Sequence, residues 1–155
     1  MNSVSVQEAD FDVGAEIAAL SAGRSDVGAV ASFVGLVRAD KVAGEGSAVS
    51  AMTLEHYPGM TEKSLEAIVA EAESRWSLLG VRVIHRFGRL VPGDRIVFVG
   101  VAGSHRGEAF AACEFIMDYL KTRAPFWKKE DTPDGGRWVD AREADDAAAE
   151  KWGKA

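Results

Sequence analysis

The chain has 155 residues, with 24 carboxylates against 18 lysines and arginines and a formal net charge of -6. That length suits a single domain with a real core, and the acidic balance argues against binding along a phosphate backbone, which needs a basic face to displace counterions. Cys113 is the only cysteine, so an internal disulfide is excluded, and a zinc site would have to draw on scattered histidines and carboxylates.

Neither a metal nor a cofactor is expected. The opening residues, MNSVSVQEAD, carry no basic segment followed by an apolar run, and no stretch approaches the length of a membrane span. A cytosolic protein is expected, with residues 1–10 mobile. In DVGAEIAAL, Val13, Ile17 and Leu20 fall at helical spacing behind Asp12, whose carboxylate suits an N-cap. Residues 28–38, GAVASFVGLVR, are β-branched and apolar and are broken by glycines, which predicts a core strand closely approached near its end. Residues 39–47 have nothing to bury and are expected to form a mobile loop.

AVSAMTLEHY, at 48–57, reads as a second strand stopped by Pro58 and Gly59. Leu65, Ile68, Val69, Ala72 and Trp76 then mark one apolar face of a helix. VRVIHRFGRL alternates, VPGD supplies a turn, and RIVFVGVA is apolar enough for burial on both faces, so a hairpin feeding a central strand is predicted. Next comes the best-marked helix, with Ser104 as its expected cap and Phe110, Cys113, Met117 and Leu120 on a shared stripe. Pro125 should end it near Thr122 or Arg123. DTPDGG is turn chemistry, RWVD is read as a short strand and AREADDAAAEKW as a terminal helix. No repeat or linker divides the chain, and strands and helices in mixed order with hairpins favour a single α+β domain over residues 1–155.

The segment DYLKTRAPFWKKE stands out, because Lys121, Arg123, Lys128 and Lys129 crowd around Pro125, Phe126 and Trp127 in an acidic chain. One reading is bland: a lysine at a helix C-terminus complements the macrodipole, and the rings are core anchors. The other reading is chemical, since a lysine partly dried by rings and repelled by neighbouring cations loses its proton more readily and can act as a nucleophile or proton donor. At the far end of the same helix, SHR places His105 and Arg106 where free backbone amides favour anions. Arg38, closing the first long strand, is a third anion contact. A helix of about fifteen residues is roughly 22 Å long, so its two ends cannot both touch one small ligand within a single chain. That length points to an elongated substrate or to a site at a subunit boundary. No serine elbow and no phosphate-cradling glycine loop is present, Cys113 lies on the apolar stripe, and His56 and His85 follow strand alternation without an assignable role.

Several ordered segments, TLEHYPGMTEKSL, VIHRFGRLVPGD, FVGV, SHR, FIMDYLKTRAPFWKKE and RWVDAR, together closely resemble the large, catalytic subunit of molybdopterin synthase, over about residues 27–152. The resemblance implies an α+β fold of the hammerhead type and a sulfurtransferase of molybdenum-cofactor biosynthesis, which converts cyclic pyranopterin monophosphate into molybdopterin. It also implies a partner, a small ubiquitin-like subunit whose C-terminal Gly-Gly carries sulfur as a thiocarboxylate, and a homodimer of large subunits at the centre of a heterotetramer. By motif, Lys121 and Lys128 resemble the catalytic lysines. Arg38, His105 and Arg106 resemble the substrate-binding set, to which Lys129, Glu130 and Arg142 are weaker additions. Phe33 and Met117 are implied as pocket walls. Leu36 stands where some relatives carry a basic residue, so at Leu36 and Val37 the expected contribution is backbone lining. Without the resemblance, a small phosphate-ester hydrolase working from the His105 and Arg106 helix start, or a non-catalytic module docking an acidic chain, would remain open.

Overall fold

The computed structural model describes residues 2–39, 51–132, 135–139 and 143–153, with side chains at 4–39, 51–129 and 146–153. Within these residues the chain folds as two four-stranded sheets and four helices. The first sheet has the order β1-β4-β6-β2, from β1 (Asn2–Gln7), β4 (Leu78–Arg86), β6 (Arg95–Gly103) and β2 (Ala29–Leu36). Only the β1–β4 pairing is parallel. The second sheet, β5-β3-β7-β8, is antiparallel throughout and is built from β5 (Gly88–Leu90), β3 (Ala51–His56), β7 (Phe126–Thr132) and β8 (Gly135–Val139). Mixed and antiparallel sheets with packed helices agree with the α+β expectation.

The apolar run of β6 earns its central place. Val97 to Gly103 are all buried, because β4 and β2 flank the strand and helices α1 (Val13–Ser21) and α3 (Arg106–Arg123) pack against it. β4 and β6 are antiparallel neighbours, as a hairpin requires, while the intervening β5 crosses to the second sheet. The core lies between the first sheet and the helices, where Val83, Val99, Val101, Leu65, Ile68, Phe115, Ile116 and Leu120 form one cluster. A smaller cluster of Val37, Met52, Leu54 and Leu90 joins the end of β2 to the second sheet.

Gly28 shows why the start of β2 needs glycine. A Cβ there would stand 2.1 Å from the Ser104 carbonyl oxygen, and the Gly28 amide bonds the Gly103 carbonyl at 3.0 Å. Helix α2 (Met60–Arg75) begins after Gly59, whose φ of 83° turns the chain out of β3 through the left-handed region that glycine enters freely.

Several expectations need correction. β1 occupies residues that were expected to be mobile: alternation in Val4 and Val6 lets one face of this short strand pack on the core while its backbone pairs with β4. Trp76 is not on the helical face of α2 but caps it in extended conformation, setting its ring edge-on to Phe115. Phe110 stands 65% exposed rather than on the buried stripe of α3, where Ala109, Ala112, Cys113, Phe115, Ile116, Met117, Tyr119 and Leu120 are buried instead. Ser104 does not cap α3; His105 holds the N-cap position and makes no side-chain capping bond. The lysine-rich run after Pro125 is a strand, β7, stabilised by pairing on both sides rather than by propensity. Of the loop expected at 39–47, all but Ala39 lies outside the described residues. Helix α4 (Glu143–Gly153) matches the terminal helix.

Candidate active site

Lys121 and Lys128 sit on different elements, one on each side of a sharp corner. Lys121 is exposed in the last turn of α3, one turn beyond the buried Met117. The helix stops at Arg123, with the Ala124 amide still bonding the Leu120 carbonyl at 3.4 Å, because Pro125 excludes a helical neighbour. The Phe126 amide then bonds the Ala124 carbonyl at 2.9 Å and β7 begins. In β7, Lys128 lies opposite Leu54 and Phe126 opposite His56. Strand alternation puts Phe126 and Lys128 on one face, Trp127 and Lys129 on the other.

The face shared by Phe126 and Lys128 turns toward β4. There the His85 ring, 5% exposed, stacks on Phe126 with centroids 3.7 Å apart and planes 19° from parallel. Burial depresses the His85 pKa from 6.5 to about 4, opposed by its bond to the Arg86 carbonyl and reinforced by the positive charge of Lys121 and by His56 and Lys128. Both lysines therefore bear on one buried, neutral imidazole. His56, across β3, packs its ring 4.2 Å from that of Phe87.

Arg38 belongs to the same end of the molecule. Its neighbour Val37 is buried against Leu54, the cross-strand partner of Lys128, and the Val37 amide bonds the Asp94 carbonyl at 2.9 Å. Arg38 itself is exposed. Phe33 and Leu36, both on β2, are 40% and 54% exposed, as residues lining an open surface would be. Met117 is buried in the main core beneath Lys121.

His105 and Arg106 are not brought to this place. Ala29 of β2 pairs with Gly103 at one end of the sheet and Leu36 pairs with Arg95 at the other. Eight strand steps along β6 amount to about 26 Å, and sixteen helical steps from His105 to Lys121 to about 24 Å. Both residues are exposed, His105 with its Nδ1 3.9 Å from Glu108 Oε1. Lys129 lies opposite Thr53, on the face of β7 turned from Lys128. Glu130 is placed by its backbone pairing with Met52, its side chain outside the described residues, as is Arg142 entirely.

Cys113 is a core thiol. Its Sγ lies 3.9 Å from the Val99 carbonyl, and burial, with Glu114 nearby, pushes its pKa up to about 11, so it offers no thiolate near neutral pH. An open cleft of about 490 Å³ beside Asp10, Phe11, Asp12 and Arg95 contains none of the expected site residues, and its charged groups are engaged within the fold, Arg95 with Asp10 at 2.8 Å and Asp12 with the Ala15 amide at 3.0 Å. Among the described residues, no group of three or more histidines, cysteines and carboxylates is placed to hold a metal ion, and no helix is long and apolar enough to cross a membrane.

Sequence reasoning singled out Phe126 with the lysines but not His85 or Thr61. The alternation of VRVIHRFGRL put His85 on the same face as buried Val81 and Val83, which was a usable signal of burial. Nothing local revealed that β7 would bring Phe126 against it.

The geometry can now be set beside known proteins. The profile of the MoaE protein family matches residues 6–123. A molybdopterin synthase catalytic subunit from Ralstonia nicotianae is 64% identical over 99% of this chain and 85% of its own length, and one from Pseudomonas aeruginosa is 57% identical over 97% and 98%. Among solved structures, a molybdopterin biosynthesis MoaE protein from Burkholderia ambifaria superposes with a TM-score of 0.83 at 58% identity, covering 99% of both chains. Molybdopterin synthase from Staphylococcus aureus gives 0.78 at 28% identity, over 88% of this chain and 96% of that one. The profile match over residues 6–123, with sequence and backbone agreement over nearly the whole length, makes this chain a member of the MoaE protein family.

Proposed function

We propose that this chain is the catalytic subunit of a molybdopterin synthase and that Lys121 and Lys128 carry out its sulfur transfer. The substrate is cyclic pyranopterin monophosphate, and the sulfur comes from the C-terminal Gly-Gly thiocarboxylate of a small ubiquitin-like partner subunit, in the cytosol. Each transfer forms one carbon–sulfur bond at a precursor carbon as a carbon–oxygen bond there breaks and the oxygen leaves protonated, while the donor's acyl carbon–sulfur bond breaks and its carbonyl carbon takes hydroxyl from water, so that the tail ends as a carboxylate. Lys121 assists attack at the thiocarboxylate carbonyl or activates the pterin carbon, while Lys128 stabilises the charge that develops on the acyl group or substrate. Arg38, on the same end of the molecule, holds the precursor phosphate.

The observation that carries this reading is the corner between α3 and β7, which sets Lys121 just before it and Lys128 just after it, on the strand face whose Phe126 stacks on buried His85. A buried core thiol also agrees with sulfur arriving from outside. His105 and Arg106 enter the site from a second copy of the chain, since a single copy holds them roughly 24 Å from Lys121. The assembly is a dimer of this chain with a small subunit on each copy.

The test is single-turnover conversion of precursor by enzyme loaded with thiocarboxylated partner. Lys121→Ala should retain dimerisation and partner binding while dithiolene formation is abolished. Conversion at close to the parent rate would remove Lys121 from the chemistry.

A further inference from the structure

Lys121 and Lys128 are separated by a corner, so their spacing depends on how firmly that corner is held. Two side chains outside the corner grip it. Thr61, fully buried at the start of α2, accepts a hydrogen bond from the Tyr57 amide at 3.0 Å and donates one to the Pro125 carbonyl at 3.1 Å. His85 reaches out of β4 and lays its ring flat on Phe126, the first residue of β7. The stack joins the two sheets, since β4 belongs to one and β7 to the other.

The ring is oriented by its own bond. His85 Nδ1 lies 2.9 Å from the Arg86 carbonyl oxygen, which can only accept, so Nδ1 carries the hydrogen. The basic groups whose fields act on the ring are Lys121 from α3, His56 from β3 and Lys128 from β7, with Arg86 adjacent on its own strand. All of these are basic groups, so a protonated ring would add like charge beside the lysines it supports. An aliphatic side chain would fill the space but offer no flat face to Phe126.

We propose that His85 is a positioning residue for sulfur transfer: stacked on Phe126, it fixes the start of β7 and so the place of Lys128 relative to Lys121, with Thr61 pinning the corner at Pro125. It touches neither sulfur nor precursor. The inference rests on the sulfurtransferase reading above and adds a residue to it.

The experiment compares the wild-type complex with His85→Ala and His85→Phe in single-turnover conversion, with precursor and partner affinities measured on the same proteins. Removing the ring should lower the transfer rate constant about 10- to 100-fold, as a displacement of reacting groups by about 1 Å does. Both affinities should stay within about twofold, which separates loss of positioning from loss of binding. His85→Phe, which keeps a flat uncharged ring, should recover most of the rate. Should His85→Ala fail to fold, Phe126→Leu removes the other half of the stack from a partly exposed position and carries the same expectation. Wild-type rates in the variant lacking the ring, or a His85→Phe defect as deep as that of His85→Ala, would overturn the proposal. No transfer by the wild-type complex would instead overturn the functional reading and this inference with it.

Discussion

His85 shows how a single side chain couples chemistry to stability. Its pKa in the fold is about 4 against an ordinary 6.5, so the unfolded chain takes up the proton first as pH falls. The sign follows: this group's contribution is fully present above about 6.5, is lost progressively as pH drops toward about 4, and changes no further below that. A depression of this size corresponds to at most about 3 kcal/mol. Asp10 acts in a different window. Its hydrogen bond from Arg95 holds its carboxyl below the usual 3.8, so its loss comes only at more acidic pH, and its exposed position keeps that contribution small. Urea unfolding at about pH 7 and about pH 4.5 should show a drop in stability for the wild type that is much reduced in His85→Phe. Parallel losses in the two proteins would mean that other groups set the acid sensitivity. The lysines themselves were readable from sequence because their neighbours are unusual for an acidic chain. His85 was legible only as a residue on the apolar face of its strand, because the ring it stacks on comes from β7, which no local signal brings there.

At the scale of elements, helices were legible where their signals are local. Asp12 accepts the Ala15 amide at 3.0 Å as an N-cap should, and Pro125 ends α3 within a residue of the expected place. β1 and β7 were not legible, since each gains its strand character from pairing with residues far away in sequence, and β7 is rich in charge that would otherwise suggest a loop. Among the described residues of α4, Trp152 is the principal anchor, with Ala149 also packed on the main core. The Trp152 ring packs edge-on to Trp76 at 5.7 Å and to Phe115 at 5.6 Å, and its Nε1 donates to Asp118 at 2.7 Å. The Trp152 carbonyl accepts from Arg75 at 2.8 Å, and Lys151 pairs with Glu114. Trp152→Ala should lower the unfolding free energy by about 2 to 4 kcal/mol, somewhat less than for a fully buried tryptophan because the residue is only partly covered. Chemical denaturation reads this directly, and a loss below about 0.5 kcal/mol would show that α4 is not fastened through this ring.

At the scale of the whole molecule, the two ends of α3 pose the question that one chain cannot answer. The mismatch between helix length and ligand size was visible from sequence; the opposite placement of Arg38 and His105 along β2 and β6 strengthens it. If the site draws Lys121 from one copy and Arg106 from another, mixing two defective proteins should restore function. Lys121→Ala and Arg106→Ala, each nearly inactive, should regain activity when co-expressed, because a mixed dimer holds one site with neither substitution. With random pairing half of the dimers are mixed, so recovery should approach about a quarter of the wild-type activity. Recovery no greater than the sum of the separate proteins would place all the contributing groups in one chain.

The register of β1 carries a last implication. Val6 lies directly beside His85 along the parallel β1–β4 ladder, and Val4 and Val6 pack against the main core. The opening strand thus shields the flank of the strand from which the imidazole projects. Trimming the front of the chain would bare that flank to water and slacken the ring's footing, so Lys128 would register a change made at residues it never meets.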